Sequence, residues 1–324
     1  MTWSKLKWTA LFSMILGHIY AAVPVQTILL TYFKIEPDVS YPVVTALQCI
    51  GSIAFPIYAF GIAQGCIHTD NALFYCLRLL VFAIIAEVPY NLTLRYGFVK
   101  FAFNNILFTL LLGAVCCLLY DFIKKQIFSW AAWIPVLLLV FLAEILNVEG
   151  GGFAVICIII PYVLYRRHNK TASVISLGIL IVIYYAFIKQ FTGSLDAPFQ
   201  WLNPRYDTSS FFLECACALI GILLLISYNE KKGKAYCQWF HYIAYPAHLL
   251  LLYILNTCII IIKNSIFQNS LIFQGLPPVK YPNLMYFPLF LPLPAETREN
   301  FYASPTTLSK SLAEVRFASL VEWA

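Results

Sequence analysis

The sequence predicts an all-α protein made of a bundle of transmembrane helices, and three observations lead to this prediction. Of the 324 residues, 61% are hydrophobic and only 11% are charged, and the mean hydropathy of +0.78 lies outside the range of soluble globular domains. The apolar residues occur in runs of about 20, the length that a helix needs to cross a bilayer. Within hydrocarbon each segment must satisfy its own backbone polar groups, so these runs form helices and not open strands.

A scan along the chain identifies nine such runs. They cover residues 6–30, 42–66, 72–94, 100–122, 127–148, 151–166, 171–191, 209–228 and 237–262. The first run also has features of a signal peptide, because Lys5 and Lys7 precede it, but His18 interrupts it and no small-residue cleavage site follows. We therefore expect the first run to be an uncleaved helix.

The positive residues in the loops predict the orientation of this bundle. If nine helices alternate, ten bases fall on the side of the N-terminus: Lys5, Lys7, Lys124, Lys125, Arg166, Arg167, Lys170, Lys231, Lys232 and Lys234. Because cytoplasmic loops are enriched in Lys and Arg, the N-terminus is expected to be cytoplasmic. This asymmetry accounts for most of the net charge of +6, so the charge does not indicate binding to nucleic acid.

The composition changes after residue 262. The stretch LIFQGLPPVKYPNLMYFPLFLPLPAETREN contains six prolines, which exclude a continuous helix. We assign residues 1–262 to the bundle and residues 263–324 to a Pro-rich tail without an assigned role.

The cysteines do not follow the spacing of a metal site. Cys116, Cys117, Cys215 and Cys217 lie within predicted spans and are expected to be small buried hydrophobic residues. The sequence also contains no Gly-rich phosphate loop, so it predicts neither nucleotide hydrolysis nor metal chemistry.

Two histidines fall at the same depth of the predicted bundle. At 1.5 Å per residue, His18 lies about 18 Å and His248 about 17 Å from the cytoplasmic ends of their helices, whereas His241 is about one turn from the interface. An ionisable group near the midplane is costly and is therefore a functional candidate, and imidazole exchanges protons near neutral pH. The alternative is a structural histidine that Asn or Gln could replace.

The remaining polar residues separate by depth. Arg78 lies near the cytoplasmic end of its span, whereas the acids and amides lie toward the outer face: Glu87, Asn91, Asn104, Asn105, Glu144, Asn147 and Glu214. Such a bundle could hold a phosphate-bearing molecule from the cytoplasm with Arg and Lys, and take a hydroxyl or amine acceptor from outside. The alternative is that the acids pair with tyrosines and amides to hold the helices together.

Six segments resemble, in order, the TraX family, membrane proteins named for acetylation of the N-terminus of conjugative F-pilin and similar to transmembrane acyltransferases. They are LKWTALFSMILGHI, IGSIAFPIYAFGIAQG, LRLLVFAIIAEVPYNL, NILFTLLLG, LAEILNVEGGGFAV and YIAYPAHLLLL. The resemblance implies a multi-pass protein of the bacterial inner (plasma) membrane that transfers an acetyl group from acetyl-CoA, its co-substrate, to an amine or hydroxyl. The acceptor would be a pilin N-terminus, as in conjugation, or a cell-surface glycan at the lipid bilayer, and no nucleic acid is implied.

Site residues follow from the matching positions. His18 and His248 are the expected catalytic residues, and Arg78 is expected to bind the CoA phosphates. The substrate or oxyanion contacts are expected from Tyr245, Glu87, Asn91 and Asn105. The rival functions are a proton-coupled transporter, in which the midplane histidines relay protons, and a structural membrane subunit.

The chain departs from the family pattern at three positions. Gly17 stands where the family tends to have an acid before the first-span histidine, Gln64 stands where it has a Glu, and Glu149 followed by Gly150 replaces an Asp-Tyr-Gly segment. Without an acid beside it, His18 needs another group to orient its ring. Glu87 would serve if the third helix packs against the first.

Overall fold

The computed structural model describes residues 1–94, 104–128, 130–188, 209–234 and 239–273. Within these ranges the chain forms eleven α-helices and a short π-helix, and the only β contact is an isolated bridge between Asn104 and Val148. The predicted all-α fold is therefore confirmed. The first residues of the predicted fourth span (100–103), the last of the seventh (189–191) and the tail from residue 274 lie outside the described residues.

The helix bounds follow the apolar runs of the sequence. They are α1 (Trp3–Ala22), α2 (Val25–Thr31), α3 (Pro37–Gly51), α4 (Ala54–His68), α5 (Ala72–Leu94), α6 (Ile106–Gln126), α7 (Trp133–Ile145), α8 (Gly151–Arg167), α9 (Lys170–Ile183), α10 (Ser209–Ile226) and α11 (Trp239–Phe273). The π-helix Tyr184–Ile188 extends α9.

Several of these helices are long and apolar enough to cross a membrane. Among the described residues four stretches meet this condition: Pro37–His68, Ala72–Leu94, Ile106–Gln126 and Trp239–Ile262. A fifth is obtained if α1 and α2 form one span with a 66° bend, which coincides with Pro24, a residue without a backbone N–H. Three further apolar helices are shorter. The count of nine spans and the cytoplasmic N-terminus stay predictions.

The contacts divide the chain into Met1–Cys258 and Ile259–Ala324. In the first unit α8 is central, because it packs against α4, α6, α7 and α9, and its residues Cys157, Ile158 and Ile159 are fully buried. In the second unit the residues up to Phe273 are helical. The nine described cysteines are all free; Cys116 and Cys117 are buried, as expected, whereas Cys215 and Cys217 are only half-buried.

Contacts bring the basic segments of the first unit to one end. The backbone N–H of Trp3 donates to the carbonyl of Lys231 at 2.9 Å, and the Lys170 ammonium donates to a carbonyl at the end of α10 at 3.0 Å. Arg167 donates to the hydroxyl of Tyr120 at 2.9 Å, so the end of α6 lies there as well. The four basic segments that the sequence places on one side are thus neighbours, which is the arrangement that alternating helices require.

Candidate active site

A cavity of about 1170 Å³ runs along α1 within the first unit. Trp3 and Lys7 line it near the start of this helix, and Tyr20 and Ala21 line it near the end. The rise from Trp3 to Ala21 is about 27 Å, close to the ~30 Å thickness of a bilayer's hydrocarbon core. The cavity therefore extends along nearly the whole depth that a membrane span would have.

The two predicted histidines meet near the end of the cavity that Tyr20 and Ala21 line, because His18 lies about 22 Å along α1 from Trp3 and about 4–5 Å from Ala21. His18 Nδ1 and His248 Nε2 are 2.7 Å apart, and the two rings are nearly parallel, with an interplanar angle of 18°. This contact shows that the two imidazoles lie at one level of the bundle, and their depth in a membrane stays a prediction. His18 lines the cavity, whereas His248 is 8% exposed and lies behind it.

The hydrogen bonds of the pair fix where the protons lie in the neutral state. His248 Nδ1 is 2.8 Å from the carbonyl oxygen of Ala244, and because a carbonyl only accepts, this nitrogen must donate. His248 Nε2 is then the acceptor, so His18 Nδ1 carries a hydrogen and donates it. The lone pair of His18 is left on Nε2. The dyad therefore presents one basic nitrogen, which belongs to the ring that lines the cavity.

The helix that carries His248 is held at this level by α5. The buried hydroxyl of Thr93 lies 2.8 Å from the carbonyl oxygen of Leu249 and 2.6 Å from that of Pro89 in its own helix, and it shares its one hydrogen between them. Pro246 lies inside α11 two residues before His248, and its missing N–H removes one bond of the helical ladder there. The contact with Thr93 of α5, at Leu249, and the irregularity at Pro246 therefore both lie within two residues of His248.

Tyr245 lies beside the dyad. Its ring centroid is 6.0 Å from that of His18 and 5.6 Å from that of His248. The residue is 3% exposed, it lines the cavity, and its hydroxyl has no side-chain hydrogen-bond partner among the described residues. A buried hydroxyl without such a partner is a donor that a ligand in the cavity can use.

A close approach of α1 and α3 explains the missing acid at position 17. A Cβ atom on Gly17 would lie 2.9 Å from the Cα of Gly51, so the two glycines let the helix backbones touch. The hydroxyl of Ser13, one turn earlier, donates to the carbonyl of Ile50. An acidic side chain at position 17 has no room in this packing. His248 supplies the hydrogen-bond partner that such an acid would have given.

Glu87, Asn91 and Asn105 form a separate cluster that links α5 to the start of α6. The Asn91 amide donates to Glu87 Oε1 at 2.7 Å, and the Asn105 amide donates to Glu87 Oε2 at 2.6 Å. The second amide hydrogens are also used, because Asn91 donates to the carbonyl of Glu87 at 2.8 Å and Asn105 to that of Ala83 at 2.9 Å. All three residues are buried and none of them lines the cavity.

This arrangement bears on two sequence expectations. Glu87 does not orient His18, since its carboxylate oxygens accept from the two amides and the imidazole is bonded to His248 instead. The substrate or oxyanion role of Asn91 and Asn105 stays a prediction. It would require an amide to exchange a hydrogen bond to a carboxylate or a carbonyl for one to a substrate.

The ends of the cavity differ in charge. Lys7, Arg78, Lys232 and Lys234 line the end near the start of α1, together with one acid, Asp70. The other end is lined by Glu149, Tyr20, Gln48, Tyr184 and Tyr185. The amide of Gln48 donates to Glu214, which is buried.

Four residues of the second end were missed by the sequence reasoning: Tyr20, Gln48, Tyr184 and Tyr185. Tyr184 and Tyr185 lie in the π-helix, a local irregularity that often occurs at functional sites, but no local sequence signal marks it. Gln48 was detectable, because it is an amide within an apolar run. The described residues contain no group of three or more His, Cys, Asp and Glu that could hold a metal ion.

Comparison with known proteins places this arrangement in a family. No curated protein and no solved structure matches the chain. A family model described as TraX protein matches residues 2–256, which include both histidines, Tyr245 and every residue named above as lining the cavity. Because the match covers more than half of the chain, the protein belongs to the TraX family.

Proposed function

We propose that this chain is a membrane-embedded acetyltransferase that moves an acetyl group from acetyl-CoA to an amine or hydroxyl acceptor. The observation that carries the proposal is the dyad: an imidazole whose Nδ1–H is held by His248 and whose Nε2 is the free basic atom of a ring that lines the cavity. A basic nitrogen on a ring that lines a cavity supports general base catalysis, which requires the base to be within hydrogen-bond reach of the proton of the bound acceptor.

The chemistry assigned to the dyad balances as follows. The acceptor attacks the carbonyl carbon of the thioester while His18 Nε2 takes the proton of its N–H or O–H group. The carbonyl oxygen becomes an oxyanion, to which Tyr245 donates a hydrogen bond. The C–S bond then breaks, and the proton on His18 passes to the departing thiolate of CoA. His248 accepts from His18 Nδ1 throughout, which stabilises the imidazolium between the two proton transfers.

The two ends of the cavity suggest how the substrates enter. Lys7 and His18 are eleven residues apart on α1, about 16 Å along its axis. An acetyl donor whose phosphates bind near Lys7 and whose carbonyl reacts near His18 must hold these two groups about 16 Å apart. A CoA thioester meets this requirement. We place this basic end, with Arg78, on the cytoplasmic side of nine spans in a bacterial inner membrane, and the acceptor at the other end.

The acceptor stays open between a pilin N-terminus and a cell-surface glycan. Neither Glu87 nor the two asparagines bonded to it is needed for contact with the acceptor in this proposal. Their hydrogen bonds hold α5 against the start of α6, and both helices line the cavity. Its effect on catalysis would then be through the stability of the bundle.

The test is transfer by the purified protein in detergent. Labelled acetyl-CoA is supplied with a peptide bearing a free N-terminus or with an oligosaccharide, and both the label on the acceptor and the released CoA thiol are measured. Transfer to either acceptor, lost in His18→Ala with an unchanged thermal melt, supports the proposal. Absence of both transfer and slow hydrolysis from a folded protein that binds acetyl-CoA would contradict it.

A second function is favoured by one observation. The cavity follows α1 over nearly a membrane's depth and an imidazole lines it, which is also an arrangement that a proton relay in a transporter uses. Proteoliposomes with a trapped pH dye separate the two functions. Proton uptake driven by a membrane potential, without any acetyl transfer, would favour transport.

A further inference from the structure

We infer that the basic end of the cavity is a diphosphate-binding site formed by Gln64, Arg78 and His241 together with Lys7. These four residues lie on four different helices, α4, α5, α11 and α1, and all four line the same cavity. The inference deepens the proposed function, because it rests on that function for the identity of the donor. It does not need the transfer reaction for binding itself.

Hydrogen-bond donors without partners carry the argument. Arg78 Nε is a buried donor and His241 Nδ1 is a buried ring nitrogen that donates in one of its two tautomers, and neither has a partner among the described residues. Gln64 Nε2 is also buried without a hydrogen bond of normal geometry, with Tyr165 as its neighbour. Gln64 as a whole is only 6% exposed, and its Oε1 lies 3.2 Å from His68 Nε2, so the carbonyl side of the amide is held by His68 and the NH₂ side is left over. Unsatisfied buried donors are rare in proteins and point to a ligand that accepts their hydrogens.

The charge of this end selects the ligand. Lys7 and His241 are close enough to interact electrostatically, and Lys232 and Lys234 add positive charge at the same end of the cavity. Against these bases, the described lining of this end contains one acid, Asp70, whereas Glu149 lines the other end. An oxyanion with several acceptor atoms satisfies such a set, and a diphosphate spans donors on several helices better than one phosphate does.

The fold holds the donors in place. The guanidinium of Arg78 lies 5.9 Å from the ring centre of Tyr75, and the Tyr75 hydroxyl is so close to Gly65 that a Cβ there would be 2.5 Å away. Gly65 is the neighbour of Gln64, so this contact fixes α5 against α4. Because Arg is anchored in this way, its fork is oriented before a ligand arrives.

The ligand could be a soluble nucleotide or a lipid with a diphosphate headgroup. Because the proposed acetyl donor is acetyl-CoA, we expect the ligand to be a soluble nucleotide. The probes are therefore inorganic pyrophosphate and ADP, with farnesyl diphosphate in mixed micelles as the lipid arm. Binding to the purified full-length protein is measured by titration calorimetry at one fixed salt concentration.

Pyrophosphate and ADP are expected to bind and to compete with each other. Gln64→Glu keeps the size of the side chain and an acceptor for His68 but replaces the donor with an anion, so it should weaken binding by about tenfold or more. Arg78→Lys keeps the charge and loses Nε, and should weaken binding several-fold. Lys125→Gln is the matched control, because Lys125 is exposed at the same end and does not line the cavity.

Each result decides a different point. Unchanged binding of pyrophosphate in Gln64→Glu and Arg78→Lys, or equal losses in Lys125→Gln, would overturn the site. Tight binding of farnesyl diphosphate that ADP cannot displace would overturn the soluble source. If pyrophosphate binds as expected but no acetyl transfer occurs, the site stands and the proposed function fails.

Discussion

Two buried polar groups of this bundle look alike in the sequence and differ in the structure. The dyad of His18 and His248 leaves one ring nitrogen without a partner among the described residues, in a ring that lines the cavity. The cluster of Glu87, Asn91 and Asn105 uses every amide hydrogen internally and does not line the cavity. Burial of a polar side chain therefore does not separate the two groups, whereas an unused ring nitrogen at the cavity wall does, and this difference is the reason for proposing the dyad as the reactive group.

The comparison predicts that the two groups respond differently to mutation. Loss of the open group should lower the rate of transfer and leave the fold intact. Loss of the closed group should lower stability and leave the rate per folded molecule nearly unchanged. The experiments below start with the largest expected effect.

His18→Ala should give the largest effect on rate. It removes the only basic atom of the dyad that is not already bonded, so transfer should fall by about 10²–10⁴-fold. The thermal melt should move little, because the hydrogen bond to His248 is the only one that the ring makes within the described part of the chain. If the melting temperature of His18→Ala falls so far that unfolding explains the whole loss of rate, then His18 has a structural role and not a catalytic one.

Glu87→Ala should give the largest effect on stability. It leaves the amides of Asn91 and Asn105 buried without their acceptor, which should cost about 2–4 kcal/mol. Glu144→Ala is the matched control, because that exposed carboxylate accepts a hydrogen bond from the N–H of Gly152 at 2.7 Å, and it should cost about 1 kcal/mol. Unfolding in detergent gives both values.

The same variant can reverse the assignment. If Glu87→Ala abolishes transfer while the protein melts as before, the cluster takes part in the reaction. The predicted substrate roles of Glu87 and the two asparagines would then hold, and the distinction between open and closed groups would fail.

The sequence predicted that the two histidines lie at one level of the bundle, but it did not predict their contact. Depth follows from the constant rise of a helix, so counting residues from the same side was sufficient. The contact depends on how α1 and α11 are rotated toward each other, and residues 230 positions apart carry no local signal for that. The orientation of His18 by His248, and not by Glu87, could therefore not be derived.

Part of the closed cluster could have been recognised from spacing. Asn91 lies four residues after Glu87, where side chains on a helix meet, and Asn105 stands just before an apolar helix, in the position of an N-cap. Its side chain does accept from the N–H of Leu107 at 3.0 Å. Both patterns predict internal hydrogen bonds, which is a reason to expect a structural role.

His248→Leu should produce an intermediate effect on rate. Without the acceptor on His248, the proton of His18 can sit on either nitrogen and the ring can turn, so kcat should fall by about 10–100-fold. KM for acetyl-CoA should stay nearly constant, because His248 does not line the cavity.

The conservative variant separates positioning from packing. In His248→Gln the side-chain oxygen can accept from His18 Nδ1, so a substantial part of kcat should return. Equal loss in His248→Leu and His248→Gln, with equal shifts of the melt, would indicate that residue 248 only fills space.

Gly17→Ala should give the smallest effect, and it tests why the dyad replaces a neighbouring acid. The new Cβ would lie 2.9 Å from the Cα of Gly51, so α1 and α3 must separate slightly, at the lower end of the about 1–3 kcal/mol that overpacking costs. In Gly178→Ala the nearest atom is 3.4 Å away, an ordinary contact, and stability should stay equal or rise because Ala favours helix. Separation of α1 from α3 also moves His18, so kcat of Gly17→Ala should fall several-fold while that of Gly178→Ala does not. Equal stability and equal kcat in the two variants would mean that the crossing has room for a side chain, and the absence of an acid at position 17 would then need another cause.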